Sequence, residues 1–302
     1  MESGFIFDIK RYSINDGPGI RITIFLKGCN LHCAWCHNPE SISSKPQKMY
    51  AANKCIGCNT CVVNCPEHAC ILTKDGIVTD PDLCKLCGKC AEVCPTKATE
   101  ISGRMETSET IMKAIEKEVV FFDQSEGGVT FSGGEPLLQP KFLFEMLDLC
   151  GARGIHRAVD TAGLINTGTL LEAAKKTDLF LYDFKMFNSE RHKKWTGVSN
   201  EKILENLKIL SKTGADINIR IPLIAGVNDD DENIENTAQF VSSLEGKRKK
   251  INILPYHNIM LQKYAKLGKE YNSTDMEEPD KEKLACIISI FTSYNLAAQT
   301  GG

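Results

Sequence analysis

With 302 residues, 42% hydrophobic and 25% charged, the chain is large enough for one barrel-sized domain plus a small module. A net charge of −3 and a pI near 6.1 exclude a general pull toward nucleic acid or an anionic membrane, and the one short basic run, Lys247, Arg248, Lys249 and Lys250, reads as a solvated turn. The opening Met1-Glu2-Ser3-Gly4-Phe5 lacks the basic start and apolar core of a secretory signal, and no stretch approaches the roughly 20 apolar residues of a membrane helix. The expectation is a cytoplasmic monomer, in which fourteen cysteines point to metal rather than to disulfides.

The first strand-like run, Ile20 to Leu26, follows the glycine–proline turn Asp16-Gly17-Pro18-Gly19 and leads into Cys29-x3-Cys33-x2-Cys36. Three thiolates are one fewer than a closed four-iron cube needs. A cube held at three corners leaves one iron free for a small-molecule ligand, as the open position of a metal site marks it as catalytic.

Next come Cys55-x2-Cys58-x2-Cys61-x3-Cys65-Pro66 and Cys84-x2-Cys87-x2-Cys90-x3-Cys94-Pro95, a repeat at 29 residues with the spacing of bacterial ferredoxins. In that arrangement the fourth cysteine of each run crosses to the other cluster, which gives Cys55, Cys58, Cys61 and Cys94 to one 4Fe-4S cube and Cys84, Cys87, Cys90 and Cys65 to the other. Two zinc sites are the alternative, but they do not explain the doubled run with its trailing prolines. Cys70, close behind Cys65, is a candidate spare ligand that nothing in its spacing demands, while Cys150 and Cys286 are expected in the core.

Beyond residue 100 strands and helices alternate. Strands are expected at 128–131, 155–159, 179–184, 216–221 and 251–254, and helices at 108–122, 141–150, 169–176, 201–212, 233–244 and 281–294. Counting the run before Cys29, six strand–helix units imply a parallel sheet, either doubly wound or, in the preferred reading, a partial (β/α)6 barrel formed by residues 1–48 and 102–302. Residues 49–101 then form a ferredoxin-like insertion. Active sites of such barrels gather at the C-terminal ends of strands. Those ends carry the Cys29 loop, Ser132-Gly133-Gly134-Glu135, Asp160-Thr161, Asp183-Phe184-Lys185, Arg220 and Tyr256-His257.

The cysteine loop, with Trp35 before its last cysteine, and Gly133-Gly134-Glu135 resemble radical S-adenosylmethionine enzymes. Asp16-Gly17-Pro18-Gly19-Ile20-Arg21, Cys36-His37-Asn38-Pro39, Asp183-Phe184-Lys185 and Leu254-Pro255-Tyr256-His257 are similar to the glycyl-radical-enzyme activating enzymes. The resemblance covers nearly the whole chain. It implies reductive cleavage of S-adenosylmethionine to methionine and 5′-deoxyadenosine, with hydrogen abstraction from a backbone glycine of a partner enzyme.

On that resemblance Cys29, Cys33, Cys36 and Lys185 serve catalysis, and Trp35 stacks on adenine. Gly133, Gly134 and Glu135 receive the methionyl amine. Asp160 and Asp183, framed by Thr161 and Lys185, hold a monovalent cation beside the methionyl carboxylate, unless each merely caps the following helix. Arg220 pairs with the carboxylate, His257 meets ribose or sulfonium, and Asp16, Gly17, Pro18, Gly19 and Arg21 receive the partner's glycyl loop. His37 is left without a role. The inserted clusters would relay electrons from ferredoxin or flavodoxin. The preferred partner is a trans-4-hydroxy-L-proline dehydratase; the glycerol dehydratase, choline lyase, isethionate lyase and arylacetate decarboxylases, or a small-molecule substrate, are the alternatives.

Overall fold

The computed structural model describes residues 1–247, 249–271 and 275–301, so Arg248 of the basic run lies outside the described residues. The main sheet has nine strands: β1 (Ser3–Ser13), β2 (Arg21–Leu26), β3 (Arg104–Thr107), β4 (Gly128–Gly133), β5 (His156–Thr161), β6 (Leu179–Asp183), β7 (Ile217–Leu223), β8 (Lys250–Pro255) and β9 (Ala297–Thr300). Their order is β9-β8-β7-β6-β5-β4-β2-β1-β3. Every neighbouring pair from β2 through β9 is parallel, and β1 runs antiparallel to both β2 and β3. The edges β3 and β9 are not paired with each other, so the barrel is open.

Side-chain alternation along each strand decides what lies inside. Ile22, Ile24, Val129, Phe131, Val159, Phe180, Tyr182, Ile219, Ile221, Ile251 and Ile253 face outward into one core with Leu143, Leu147, Leu207, Ile234 and Ile287 of the surrounding helices. The intervening residues Thr23, Thr130, Ser132, Asp160, Asp183, Arg220 and Asn252 therefore face inward. Apolar burial on the outer face, about 1.5–3 kcal/mol for each aliphatic or aromatic side chain, stabilises a sheet whose other face is polar. One cavity touches Phe25, Ser132, Asp160, Asp183, Arg220 and Leu254 on six successive strands, which requires the sheet to curl around it.

All six expected strands are present within two residues at each end, but the three flanking strands were not expected. β1 buries only Gly4, Ile6 and Ser13, amid charged neighbours, and β3 and β9 are short edges with little apolar signal. The expected helix 108–122 is two, Ser108–Glu116 and Val119–Ser125, broken where buried Glu118 pairs with Arg11 of β1. Cys286 is exposed rather than core, because its helix, Lys281–Ser293, turns Ile287 and Phe291 inward instead; Cys150 is buried against Met112. The basic run is not wholly a solvated turn either, since Lys249 is buried with its ammonium on the Glu245 carbonyl and Lys250 starts β8.

The segment between β2 and β3 leaves the barrel through an antiparallel ladder of Gln47–Tyr50 with Thr99–Ser102. It carries a hairpin of Cys70–Thr73 with Gly76–Thr79 and two one-turn helices, Thr60–Val63 and Lys89–Glu92. Those helices occupy equivalent places in the repeat, each preceded by a residue of positive φ, Asn59 at 60° and Gly88 at 81°. Among the described residues no helix is long and apolar enough to cross a membrane.

Candidate active site

Strand β2 delivers the Cys29 loop to the C-terminal mouth of the barrel, where backbone bonds hold it from two sides. Gly28 and Cys29 amides donate to Ser41 and Ile42 carbonyls at 2.7 and 3.1 Å, and His32 and Ala34 amides donate to Thr196 and Trp195 carbonyls at 2.8 and 2.9 Å. The second pair comes from helix Ser189–Thr196, which sequence periodicity did not reveal because its composition is almost wholly polar. The loop is fixed without its thiols. Cys29, Cys33 and Cys36 are all unpaired and all line a cavity of about 350 Å³.

Burial raises the three thiols, Cys29 to about 11, Cys36 to about 12 and Cys33 in the same direction. They are therefore thiols until something cationic claims them, and binding iron there releases protons. The compensating charge is Lys185. Burial alone would depress it, but Asp183 at 2.6 Å holds it well above the ordinary lysine range.

Inside the barrel Asp160 accepts from Ser132 Oγ at 2.7 Å and from Arg220 at 3.4 Å, and Arg220 stands 4.0 Å from Asp16. Burial pushes Asp160 up to about 6 against the pull of Arg220, and Asp183 adds to the rise. Among the described residues three carboxylates face two cations, and Arg220 Nε is buried without a partner. Neither Asp160 nor Asp183 caps a helix: Asn166 and Asn188 do so in their places. The capping alternative is excluded.

The cavity lining unites Cys29, Cys33, Trp35, Cys36, Gly133, Gly134, Asp160, Thr161, Asp183, Lys185 and Arg220 with Asp16. Trp35 is buried by Met186, Ile224 and Tyr256 while still lining the cavity, so its packing and lining roles coexist. Of the residues expected to bind the cofactor, Glu135 and His257 are not in the lining, nor are Gly17, Pro18, Gly19 and Arg21 of the expected partner site. Glu135 is fully buried behind Thr161, whose hydroxyl donates to it at 2.8 Å, and it also accepts from the amides of Ala162 and Leu137 at 3.0 and 3.2 Å. Burial raises it to about 7. It braces the end of β4 against the end of β5 instead of presenting its carboxylate.

His257 is exposed and stacks on His37 at 4.5 Å; His37, which had no role, is the one in the lining. Burial, with His257 adding to the effect, lowers His37 to about 4 and keeps it neutral. The spacing Cys36-His37 was the available signal. The glycine pair also has a nearer reason than ligand approach. A Cβ on Gly134 would sit 2.1 Å from the Gly28 carbonyl oxygen, and one on Gly133, with φ of 109°, 2.5 Å from that of Leu26. Close packing of this turn on the cysteine loop demands glycine.

Arg21 is wholly buried, donating to Thr130 Oγ1 at 2.7 Å and to the Val129 and Pro18 carbonyls at 2.6 and 3.0 Å, so it shapes the Asp16–Gly19 turn from inside. Thr23 and Thr130 anchor Asp16 through its carboxylate and carbonyl, both at 2.7 Å. A second cavity, about 780 Å³, opens at the N-terminal ends of the strands beside Gly17, Pro18, Asn218, Asn252 and Gln299 and shares Arg220 with the first.

In the insert, Cys55, Cys58, Cys61 and Cys94 wall one small cavity, and Cys65, Cys84, Cys87 and Cys90, joined by Cys70, wall another. The fourth cysteine of each run faces the other run's cavity. Among the described residues no three His, Cys, Asp or Glu side chains converge as ligands of a single ion would. The thiols ring spaces rather than points.

An open α/β barrel with three unpaired thiols in the wall of its cavity is built for cofactor-dependent catalysis. The family model of the radical SAM superfamily matches residues 23–241. The chain is 42% identical to the trans-4-hydroxy-L-proline dehydratase activating enzyme of Clostridioides difficile, covering 98% of itself and 99% of that relative. It is 38% identical to the isethionate sulfite-lyase activating enzyme of Desulfovibrio desulfuricans, covering 89% and 88%. A solved domain of a pyruvate-formate lyase-activating enzyme from Bacteroides vulgatus is 41% identical and aligns with 58% of this chain and 99% of its own, at a TM-score of 0.51. The chain is a radical SAM enzyme and belongs to the glycyl-radical-enzyme activating enzymes.

Proposed function

We propose that the chain activates a trans-4-hydroxy-L-proline dehydratase by generating a radical on a backbone glycine of that partner. The observation that carries the reading of the site is one cavity joining three unpaired thiols to Asp16 and Arg220. The choice of partner rests on 42% identity spanning both whole chains. Cys29, Cys33 and Cys36 would hold a 4Fe-4S cluster whose free iron takes S-adenosylmethionine, and the group would supply the one electron that breaks a carbon–sulfur bond, giving methionine and, once a hydrogen atom is taken from the partner's glycine, 5′-deoxyadenosine.

The residues divide the remaining work. Lys185 offsets thiolate charge, and Trp35 with neutral His37 walls the adenosyl side. Gly133 and Gly134 present backbone to the methionyl amine, Arg220 offers its free donor to the methionyl carboxylate, and Asp160 with Asp183 leaves net negative charge for a monovalent cation. Asp16 meets the partner's glycine segment, which reaches Arg220 through the second cavity beside Pro18, while Arg21 and Glu135 hold that geometry from behind.

Residues 49–101 we read as a module holding two closed cubes, on Cys55, Cys58, Cys61 and Cys94 and on Cys84, Cys87, Cys90 and Cys65. Held there, the two cubes would pass electrons from ferredoxin or flavodoxin to the site at Cys29, Cys33 and Cys36 of a monomeric, cytoplasmic enzyme. Full ligation, which leaves no iron for substrate, supports the relay. If folded Cys55→Ala and Cys84→Ala proteins activate as fast as the parent with either donor protein, the relay is wrong.

The functional test is anaerobic incubation of the reconstituted chain with S-adenosylmethionine, reductant and purified dehydratase. The expected result is 5′-deoxyadenosine together with a glycyl radical doublet in spin resonance. A doublet with isethionate lyase or choline lyase but not with the dehydratase would reassign the partner; no 5′-deoxyadenosine from fully loaded protein would overturn the reading.

A further inference from the structure

The two cysteine-ringed cavities of the insert differ in a way their shared repeat does not predict. The one walled by Cys65, Cys84, Cys87 and Cys90 also carries Lys48, Lys85 and Lys89 against a single acid, Glu67. Among the described residues, the one walled by Cys55, Cys58, Cys61 and Cys94 has no charged side chain in its lining. The three lysines are not equivalent. Lys85 is exposed, and Lys89 pairs with Glu92 at 3.2 Å, so solvent and counter-charge screen both.

Lys48 comes from the ladder rather than from the repeat, and it is half-buried. Its ammonium donates to Cys70 Sγ at 3.2 Å and to Thr79 Oγ1 at 2.6 Å. Two acceptors, the Cys70 sulfur and the Thr79 hydroxyl, hold the ammonium in one place. It is a fixed cation.

The ladder also orders the cavities. Lys48 pairs with Ile101, and both line the first; Tyr50 pairs with Thr99, and both line the second. Residues two apart share a face, so the cavities stand in file, offset by about 6.6 Å of strand. The rung of Gln47 and Ser102, where the chain leaves and rejoins the barrel, adjoins Lys48. The lysine-bearing cavity is therefore the one beside the rung that joins the insert to the barrel, the proximal one along the ladder.

One added electron makes a cube one unit more negative, and a nearby cation shielded from water stabilises that state. We propose that Lys48 raises the reduction potential of the barrel-proximal cube above that of its neighbour, so that an electron taken up at the far end comes to rest beside the barrel. This rests on the two-cube reading of the insert given above. One electron passes from a low-potential protein donor, no bond forms or breaks, and Lys48 keeps its proton throughout.

The test is a spin-resonance redox titration of the reconstituted full chain, with Cys87→Ser identifying the proximal signal. In Lys48→Met the proximal cube's reduced-to-oxidised ratio at fixed potential should fall about tenfold, about 59 mV for one electron, with the other cube unmoved and Lys48→Arg close to the parent. Should Lys48→Met lose iron, Lys48→Gln, which still donates to Thr79, carries the same expectation. Iron analysis that finds fewer than two cubes in the parent insert removes the underlying reading. Two intact cubes with neither potential moved, or with the distal one moved, overturn the proposal alone.

Discussion

Replacing Arg220 with Met removes the strongest influence that holds Asp160 ionised. In the parent, burial has already pushed Asp160 up to about 6 despite that guanidinium. Losing an opposite charge at this range raises a carboxyl by about 1–3 units, so Asp160 in the variant should titrate between about pH 7 and 9. Its ionised fraction at pH 7 then falls from about nine-tenths to between about a half and a hundredth.

The stability sign follows. A carboxyl raised in the fold supports stability below its unfolded value of 3.8 and loses that support as pH rises through its folded value, about 6 in the parent and higher in the variant. Leaving an unpaired buried charge costs about 3–5 kcal/mol where ionisation is forced, so the variant is least stable at alkaline pH. The assay is 5′-deoxyadenosine formation with a chemical reductant from about pH 6.5 to 9, on protein matched to the parent in iron.

The expected profile for Arg220→Met is depressed at neutral pH and recovers toward pH 9, with Arg220→Lys intermediate. A lost contact to the cofactor's carboxylate alone would not recover with pH. A variant profile parallel to the parent's refutes the argument that Arg220 sets the charge of Asp160.

Gly134→Ala should cost more than an ordinary surface change, because its Cβ would meet the Gly28 carbonyl oxygen, which is backbone and cannot swing aside. The expected outcome is loss of iron from the barrel site with the insert's iron retained, read by iron analysis and spin resonance; normal loading of all sites would contradict it. His257→Ala should leave S-adenosylmethionine affinity within about twofold, since only His37 lines the cavity, whereas His37→Ala should weaken it about tenfold or more, roughly the 1.4 kcal/mol of one lost contact. Anaerobic calorimetry on loaded protein measures both, and the opposite ranking would return His257 to the site.

The superfamily was legible in the spacing of the Cys29 loop, because thiol spacing is a direct record of ligand geometry, and the superfamily it pointed to is the one the chain belongs to. The six inner strands were legible for a similar reason. Each carries Val, Ile, Phe or Tyr on its outer face at a period of two, against helices with their own apolar stripe. The flanking strands have no such face to advertise: β1 is held by pairing on both sides, and β9 by the register Asn252 to Gln299.

Side-chain direction is what sequence could not supply. Glu135, Arg21 and His257 sit in the right motifs, and a strand-end residue can turn toward the cavity or behind it at no change in spacing. Which way it turns depends on hydrogen-bond partners from neighbouring segments. Thr161 and the Ala162 amide draw Glu135 away from the cavity, and Thr130 and the Val129 carbonyl draw Arg21 inward. The result separates residues that face the cavity from residues that hold them. Asp16 reaches the interior only because Thr23 and Thr130 grip it, and Thr130 in turn accepts from Arg21. The Asp16–Arg21 motif is therefore one mechanical unit in which the acid faces the interior and the arginine fixes the acid, and substituting either end should disturb the other.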